Sequence, residues 1–277
     1  MAEKDDIKKE YEIKIKQKEA EIFSNRKKYS FLHDILTETG DKLVDSIIKY
    51  LKWLGFQNVV DMDDNYESIK EEDIQIENSK GLLVIEVKGI GGTSKDMECS
   101  QISKIKYRRA KERDSFDVFG LYIVNHQRHL PAKRRENPPF TKEQKQDAVN
   151  EERGLVTTWA LFNLYYDIQN GIITKEDAKE SFYEYGLIYF KPKNIALVGK
   201  IDEIYLKGEV FILNLNGIEI KTGDNLFIEK NNQFRKLTIL EIKLDDKVVT
   251  KIDKGEVGIK GNIIVSKKSK VWIKNLP

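Results

Sequence analysis

The chain has 277 residues, enough for about two domains, and 40% of them are hydrophobic, enough for packed cores. Its 48 basic residues nearly balance its 46 acidic ones, which excludes a globally polybasic nucleic-acid-binding protein. The single cysteine, Cys99, excludes an intrachain disulfide and a thiolate metal cluster. Because no apolar run is long enough for a membrane span and no signal-peptide pattern is present, we expect a cytoplasmic protein without membrane association.

Residues 1–31 predict a charged helix. The first 30 residues contain nine basic and seven acidic side chains. The sparse apolar residues are spaced for one narrow helical stripe, which comprises Ile7, Tyr11, Ile15 and Ile22. A solvated helix is one interpretation, and a short coiled coil that pairs subunits is the other.

Residues 32–191 alternate between helical and strand patterns and predict an α/β domain with a mixed central sheet. Gly55 is a natural stop for the first helix, and a capping box from Thr174 to Asp177 opens the last. The first helix is expected at 43–54, further helices at 100–113, 141–152 and 159–169, and strands at 56–60, 72–77, 82–87, 118–124 and 155–157.

Residues 192–277 have a different pattern. Short alternating runs are separated by turn pairs such as Asn216-Gly217 and Gly223-Asp224, which predicts a small closed β-barrel without helices. The whole chain is therefore expected to be an α+β multidomain protein with boundaries near residues 31 and 191.

The predicted hairpin around residues 78–81 has chemical consequences. A turn centred between Ser79 and Lys80 places Asp73 opposite Glu86, with β-carbons about 5 Å apart. The strand period of two puts Lys88 on the same face as Glu86. Two facing carboxylates repel each other, and a divalent cation between them would remove that repulsion.

The donor types at this position indicate which metal it would take. Oxygen ligands without cysteines or paired histidines favour Mg²⁺ or Mn²⁺ over zinc. Such an ion polarises phosphoryl oxygens and activates water, while Lys88 could orient that water or stabilise developing charge. The alternative is a set of ordinary cross-strand ion pairs on an exposed sheet face.

Asp73, the Glu86-Val87-Lys88 run and a following helix with Gln101 resemble the PD-(D/E)XK, or restriction-endonuclease-like, nuclease superfamily. The resemblance implies a restriction-endonuclease-like fold for the α/β domain. It also implies that Asp73, Glu86 and the Val87 carbonyl bind the metal. By the same resemblance, Lys88 is catalytic and Gln101 positions the site or the substrate phosphate.

The resemblance covers roughly residues 36–165, and it departs from the family at one position. Relatives often carry a Glu on the first helix, about eleven residues before the Gly-Phe pair, where this chain has Val44. Asp41 or Asp45, one turn apart on that helix, could supply the acid, or Glu38 could reach back. Plain helix solubility is the alternative for the two aspartates, and a second metal ion is therefore left open.

A local basic cluster extends from Lys104 to Lys145, with 12 Lys and Arg against five acidic residues. It falls on the predicted helix that begins near Gln101 and on the loop after the strand that ends at Asn125. A solvated face is one interpretation. The other is contact with nucleic-acid phosphates, for which the candidates are Lys104, Arg108, Arg109, Arg128, Arg134 and Arg135.

The runs at 198–204, 223–228 and 255–259 resemble the domain-two barrel of translation elongation factors, over residues 195–274. In those factors such barrels touch RNA or protein partners. The resemblance therefore implies a module that selects substrate, binds a protein partner or holds a dimer, and the chain has no GTPase signature.

Together these patterns predict a Mg²⁺- or Mn²⁺-dependent endonuclease that hydrolyses phosphodiester bonds in DNA, in antiviral defence or genome maintenance. An RNA- or tRNA-directed nuclease guided by the barrel is one alternative, and a non-catalytic nucleic-acid-binding or scaffolding protein is another. Because cleavage of both strands of a duplex normally needs two sites, we expect a homodimer.

Overall fold

The computed structural model describes residues 2–62 and 72–274, with the side chains of residues 2–9 left outside the description. The described chain combines helices with a mixed sheet and an antiparallel sheet, which confirms the α+β class. It divides into two compact units: the first comprises Met1–Phe162 and Tyr183–Leu187, and the second comprises Asn163–Phe182 and Ile188–Pro277. The domain boundaries near residues 31 and 191 stay predictions.

Two helices begin the first unit, α1 (Ala2–Thr37) and α2 (Asp41–Leu54). Residues 10–30 of α1 are exposed, and Phe31, Leu32 and Ile35 at its C-terminal end enter the core. Ile7 of the predicted stripe lies outside the described side chains. Gly55, at φ 98°, ends α2 as predicted, because glycine adopts this left-handed conformation without steric cost. None of the described helices has both the length and the apolar character needed to cross a membrane.

The first unit contains a mixed six-stranded sheet whose strands are arranged in sequence order. The pairs β1–β2 and β2–β3 are antiparallel, and the pairs from β3 to β6 are parallel. The strands are β1 (Val59–Asp61), β2 (Ile74–Asn78), β3 (Gly81–Gly89), β4 (Val118–Asn125), β5 (Arg153–Thr157) and β6 (Gly186–Leu187). The helices between them are α3 (Asp96–Arg113), α4 (Lys142–Asn150), α5 (Thr158–Gln169) and α6 (Lys175–Ser181), of which α5 continues into the second unit and α6 belongs to it.

Side-chain alternation along β3 decides which residues face α3. Leu82 and Val84 of β3 pack with α3 and with Tyr122 of β4 in one apolar cluster. Because the side-chain period of a strand is two, Glu86 and Lys88 project from that same face. The apolar half of β3 thus anchors the strand, and its C-terminal half presents the charges near the start of α3.

The second unit contains an eight-stranded antiparallel sheet in the order β7-β14-β10-β11-β13-β9-β8, with β12 paired to β11. The sheet curls into a half-barrel, and within the described ladder β7 and β8 form its two ends, so it is barrel-like where a closed barrel was predicted. Thr174 caps α6 as predicted, since its Oγ1 accepts from the Asp177 N–H at 3.0 Å. The strands are β7 (Ile195–Lys200), β8 (Ile204–Tyr205), β9 (Val210–Lys221), β10 (Asn225–Lys230), β11 (Gln233–Leu244), β12 (Lys247–Val249), β13 (Lys251–Gly261) and β14 (Lys270–Lys274).

Candidate functional site

The β2–β3 hairpin has the predicted register, beginning with the pair Ile74–Ile85. Asp73, immediately before β2, continues this pairing, because its N–H donates to the Ile85 carbonyl at 3.1 Å. The Oδ2 atom of Asp73 accepts a hydrogen bond from the Val87 N–H at 2.6 Å. The Asp73 carboxylate therefore lies against the backbone of β3, beside Glu86.

Glu86 is a charged side chain buried in the sheet face, with only 2% of its side-chain surface exposed. Its Oε1 forms an ion pair with Lys88 Nζ, and its Oε2 has no hydrogen-bond partner among the described residues. Burial, and then the charge of Asp73, raises the pKa of Glu86 to about 7 against the opposing effect of Lys88. A buried carboxylate oxygen without a partner is costly, and a bound cation would satisfy it.

Lys88 is more exposed, at 37% of its side chain, and its ammonium stays protonated. Burial lowers the pKa of Lys88, but the hydrogen bond to Glu86 and the charges of Glu86, Asp73 and Glu98 outweigh burial and leave that pKa raised. Lys88 is therefore suited to stabilise negative charge on a substrate rather than to remove a proton.

The start of α3 supplies an acid that the sequence interpretation missed. Glu98 lies in the first turn of α3, where its Oε2 accepts from the Lys95 N–H at 3.2 Å, and its charge acts on Lys88. Gln101, the predicted positioning residue, is exposed on α3 one helical turn later. The available signal was this spacing of three residues, which places Glu98 and Gln101 side by side on the helix.

Buried polar contacts fix the loop between β3 and α3, and the sequence interpretation missed these as well. Ser94 Oγ donates to Tyr122 Oη at 3.0 Å and lies 3.0 Å from Cys99 Sγ. Gln144 Nε2, on α4, donates to the Ser94 carbonyl at 3.0 Å. Cys99 is therefore a buried member of a structural network, and the network determines where α3 begins relative to Lys88.

The candidate additional acids lie on the segment before α2 and on α2 itself. Asp41 and Asp45 are exposed, whereas Glu38 is half-buried. Thr39, next to Glu38, packs on the end of β3, where its Oγ1 donates to the Gly89 carbonyl at 3.0 Å. A Cβ added to Gly89 would lie 2.6 Å from Thr39 Oγ1. This close approach brings the segment of Glu38 to the residue that follows Lys88.

The predicted phosphate-contacting residues separate into accessible and buried groups. Lys104 and Arg108 are exposed on α3, Arg134 is exposed in the loop after β4, and Arg128 is half-buried in the same loop. These four remain candidates for backbone contacts with nucleic acid.

Arg109 and Arg135 require a correction, because both are buried and their guanidinium groups bind protein acceptors. Arg109 is 8% exposed, and its Nε and Nη2 contact the two carboxylate oxygens of Glu72 at 2.8 and 3.0 Å. Arg135 is 7% exposed, and its Nη1 donates to Asn125 Oδ1 at 2.7 Å. Their placement supports a role in holding the first unit together instead of contact with nucleic acid.

The donor set at β3 fits a hard cation with an open coordination sphere. Within residues 2–62 and 72–274, no group of three or more His, Cys, Asp or Glu side chains is arranged to hold a metal ion. Two carboxylates, from Asp73 and Glu86, and the Val87 carbonyl are the available donors. Mg²⁺ is commonly bound by one or two carboxylates and several waters, whereas structural zinc needs four protein ligands.

Comparisons with known proteins leave the family open. No family model matches the chain, and no curated protein matches it. One similar solved structure is the C-terminal domain of a putative U32 peptidase from Geobacillus thermoleovorans, which is 10% identical. The match covers 27% of this chain and 96% of that domain, with a TM-score of 0.25. Another is translation elongation factor SelB from Methanococcus maripaludis in its apo form, which is 9% identical. The match covers 69% of this chain and 42% of SelB, with a TM-score of 0.24. Likenesses this low carry no argument about function.

Proposed function

We propose that this protein is a metal-dependent endonuclease that hydrolyses phosphodiester bonds in DNA, with Mg²⁺ or Mn²⁺ held by Asp73, Glu86 and the Val87 carbonyl. One observation carries the proposal: Glu86 is almost fully buried beside Asp73, and one of its carboxylate oxygens has no partner among the described residues. Ordinary ion pairs on an exposed sheet face would leave these charges in solvent. A buried structural pair such as Arg109–Glu72 satisfies both carboxylate oxygens, whereas Glu86 keeps one without a partner among the described residues.

The residues divide the chemistry among themselves. Bound at this position, Mg²⁺ supplies a Lewis acid that polarises the phosphoryl group and activates water. Lys88, whose raised pKa keeps it protonated, donates to a phosphoryl oxygen and stabilises the charge that develops there. On α3, Gln101 positions the substrate phosphate and Glu98 positions Lys88.

Substrate contact is assigned to exposed basic residues of the first unit. Lys104 and Arg108 on α3 and Arg134 in the loop after β4 bind backbone phosphates, which is the dominant source of affinity for nucleic acid. A role in antiviral defence or genome maintenance belongs to this proposal. RNA as the substrate, and a non-catalytic protein, are the competing outcomes of the experiment below.

We also propose a homodimer formed through α1. Tyr11, Ile15 and Ile22 are 64%, 55% and 50% exposed, and they follow one another at helical spacing along a helix whose residues 10–30 are exposed. A second copy of α1 would cover this stripe. Light scattering of the Ile15→Asp, Ile22→Asp protein is expected to give a monomer and the unchanged protein a dimer, whereas equal masses contradict the proposal.

The experiment that tests the nuclease incubates the protein with supercoiled plasmid, single-stranded DNA and total tRNA in Mg²⁺, Mn²⁺ or EDTA. Cleavage of DNA in either metal is expected, with none in EDTA. Lys88→Ala should abolish cleavage while nucleic-acid binding survives, and Lys52→Ala, an exposed lysine on α2, is the matched control. Full activity in Lys88→Ala contradicts the mechanism, and cleavage of tRNA alone replaces DNA by RNA as the substrate.

A further inference from the structure

The outer face of the half-barrel carries an unusual row of apolar side chains. Along β10, Leu226 and Ile228 point into the apolar core, so Phe227 between them projects to the outer face, where it is covered and only 5% exposed. Phe227 pairs across the sheet with Trp272 of β14, and Trp272 pairs in turn with Leu197 of β7. Three neighbouring strands thus present apolar side chains on the side where a solvent-facing sheet would carry polar ones.

Part of this row opens into a cleft of about 660 Å³ within the second unit. Trp272 is half-buried, Phe234 is half-buried and Tyr189 is 45% exposed, so aromatic surface reaches solvent from three segments of the chain. Lys191, Lys193 and Lys270 also line the cleft.

The Trp272 ring is held in one orientation. Its Nε1 donates to Glu229 Oε2 at 2.8 Å, and Lys270 Nζ lies 5.9 Å from the ring centroid and 3.5 Å from the same carboxylate. Glu229 is the acidic residue among the lining side chains, so three lysines face one carboxylate that is already bound to two of its neighbours. The cleft therefore combines fixed aromatic surface with a net positive charge.

We propose that this cleft binds single-stranded nucleic acid, with unpaired bases stacking on Trp272 and Tyr189 and phosphates contacting Lys191 and Lys193. Aromatic side chains that alternate with lysines along a groove bind single strands largely independently of sequence, because every base has a π-face. A duplex does not suit the cleft, since its bases stack on one another and offer the protein no free face. A neutral peptide would leave the lysines without counter-charges.

The inference rests on the proposed function for its class of ligand, and it makes the half-barrel the part that selects an unpaired strand. A second cleft of about 430 Å³ shares Pro192, Lys193 and Ile195 with the first, but its lysines are nearly balanced by the carboxylates of Asp177, Glu219 and Asp224. The site for the single strand is therefore assigned to the first cleft, where three lysines face one carboxylate.

The test measures binding by the full chain carrying Lys88→Ala, in EDTA, so that neither cleavage nor the metal site affects the result. Fluorescein-labelled single-stranded DNA, single-stranded RNA and duplex DNA are titrated by fluorescence anisotropy. We expect tighter binding of a single strand than of the duplex, and the two single-stranded arms decide between DNA and RNA. In protein that also carries Lys104→Ala, Arg108→Ala and Arg134→Ala, which removes the phosphate contacts proposed for the first unit, binding of the duplex as tight as that of both single strands overturns the proposal.

Variants separate the cleft from the rest of the surface. Tyr189→Ala and Trp272→Leu should each weaken single-strand binding, from about fivefold to about a hundredfold, because each removes one stacking platform. Tyr205→Ala, which removes a 52% exposed aromatic from the same unit but outside the cleft, should leave affinity unchanged. If Trp272→Leu does not fold, Tyr189→Ala and Lys191→Glu, both at exposed positions, carry the test.

A direct signal comes from tryptophan fluorescence. The chain has three tryptophans, and a base stacked on Trp272 should quench its emission, so the quenching should disappear in Trp272→Phe while binding persists. Unchanged affinity in folded Tyr189→Ala, Lys191→Glu and Trp272→Leu proteins overturns the proposal. Cleavage by the unmodified protein is scored separately, so failure of the nuclease and failure of this site give different results.

Discussion

The two units differ in the side chains they bury. In the second unit, the buried polar side chains among the described residues are the hydroxyls of Ser181 and Ser269, and the core of the half-barrel is otherwise apolar. In the first unit, five side chains that carry a formal charge are at most 8% exposed: Glu72, Glu86, Arg109, Arg135 and Arg153.

The buried charges of the first unit differ in how fully their burial is compensated. Removing a charge from water costs several kcal/mol unless a partner compensates it. Arg109 and Glu72 compensate each other in a two-pronged contact, and Arg135 binds carbonyl and amide oxygens. Glu86 retains one uncompensated oxygen, so its burial is not explained by stability alone. In the half-barrel the core is apolar, and the candidate binding surface lies on the outer face.

The largest expected effect comes from neutralising Glu86. Glu86→Gln should reduce cleavage by about 10³-fold, because it removes a metal ligand and its charge. In EDTA the same change should leave thermal stability unchanged or raise it by about 1–2 kcal/mol, since a buried carboxylate with one oxygen left without a partner is replaced by a neutral amide. Glu77→Gln, at an exposed acid of the same hairpin, is the control and should leave activity unchanged and cost no more than about 1 kcal/mol of stability, because it removes only a surface ion pair with Arg113. A strongly destabilised Glu86→Gln protein would show that the carboxylate is structural.

The next effect concerns the compensated pair of the first unit. Arg109→Met should lower the free energy of unfolding by about 3–5 kcal/mol, because it leaves the Glu72 carboxylate buried without its partner. The double variant Arg109→Met, Glu72→Met should recover most of that loss, since no charge then remains. Urea denaturation measures the free energy of unfolding of the single and the double variant.

A more exposed pair on the same helix supplies the comparison for Arg109. Arg113→Met removes a surface contact with Glu77 and should cost no more than about 1 kcal/mol. Equal losses in Arg109→Met and Arg113→Met would contradict the distinction between buried and surface pairs.

The hairpin register was predictable from sequence because a tight turn between two alternating runs determines it locally. The pairing of Arg109 with Glu72 was not, since 37 residues separate them and the contact depends on how α3 packs against the sheet. A weaker signal existed: Ile102, Ile105 and Arg109 follow one another at spacings of three and four, so periodicity alone places Arg109 on the buried face of α3. Counting Arg109 with the other basic residues between Lys104 and Lys145 hid the fact that it lies on the buried face of the helix.

The cleft on the half-barrel shows a second limit. The alternating strands after residue 192 were recognisable, but the sheet face that Trp272 occupies was not. Its neighbours Phe227 and Leu197 come from strands far apart in sequence, and only the ladder shows that all three project outward. Strand periodicity defines two faces, but long-range pairing decides which one is the core.

A smaller effect concerns Asp167, the carboxylate in the second unit that burial perturbs. Burial raises the pKa of Asp167 from its usual 3.8 to about 6, so the folded state holds this proton more tightly than the unfolded state. Its contribution to stability is therefore greatest below about pH 4 and declines as the pH rises to about 6. Asp167→Asn should stabilise the protein at pH 7.5 by about 1–3 kcal/mol and have little effect at pH 4.

Thermal unfolding at the two pH values measures this difference. Asp202→Asn, at an exposed aspartate of the same unit, should be neutral at both. A stabilisation of Asp167→Asn that is equal at pH 4 and pH 7.5 would exclude burial of the charge as its cause.

The smallest effect distinguishes the exposed lysines and arginines of the first unit from its buried ones. Lys104→Ala should weaken DNA binding at all sequences and reduce the slope of log affinity against log salt by about 0.9, because one phosphate contact is lost. Its thermal stability should stay within about 0.5 kcal/mol of the unchanged protein, since Lys104 is exposed. Arg109→Met gives the opposite pattern, with a large loss of stability and, where it remains folded, an unchanged salt slope. If the salt slope falls in Arg109→Met and not in Lys104→Ala, the assignment of accessible and buried basic residues is reversed.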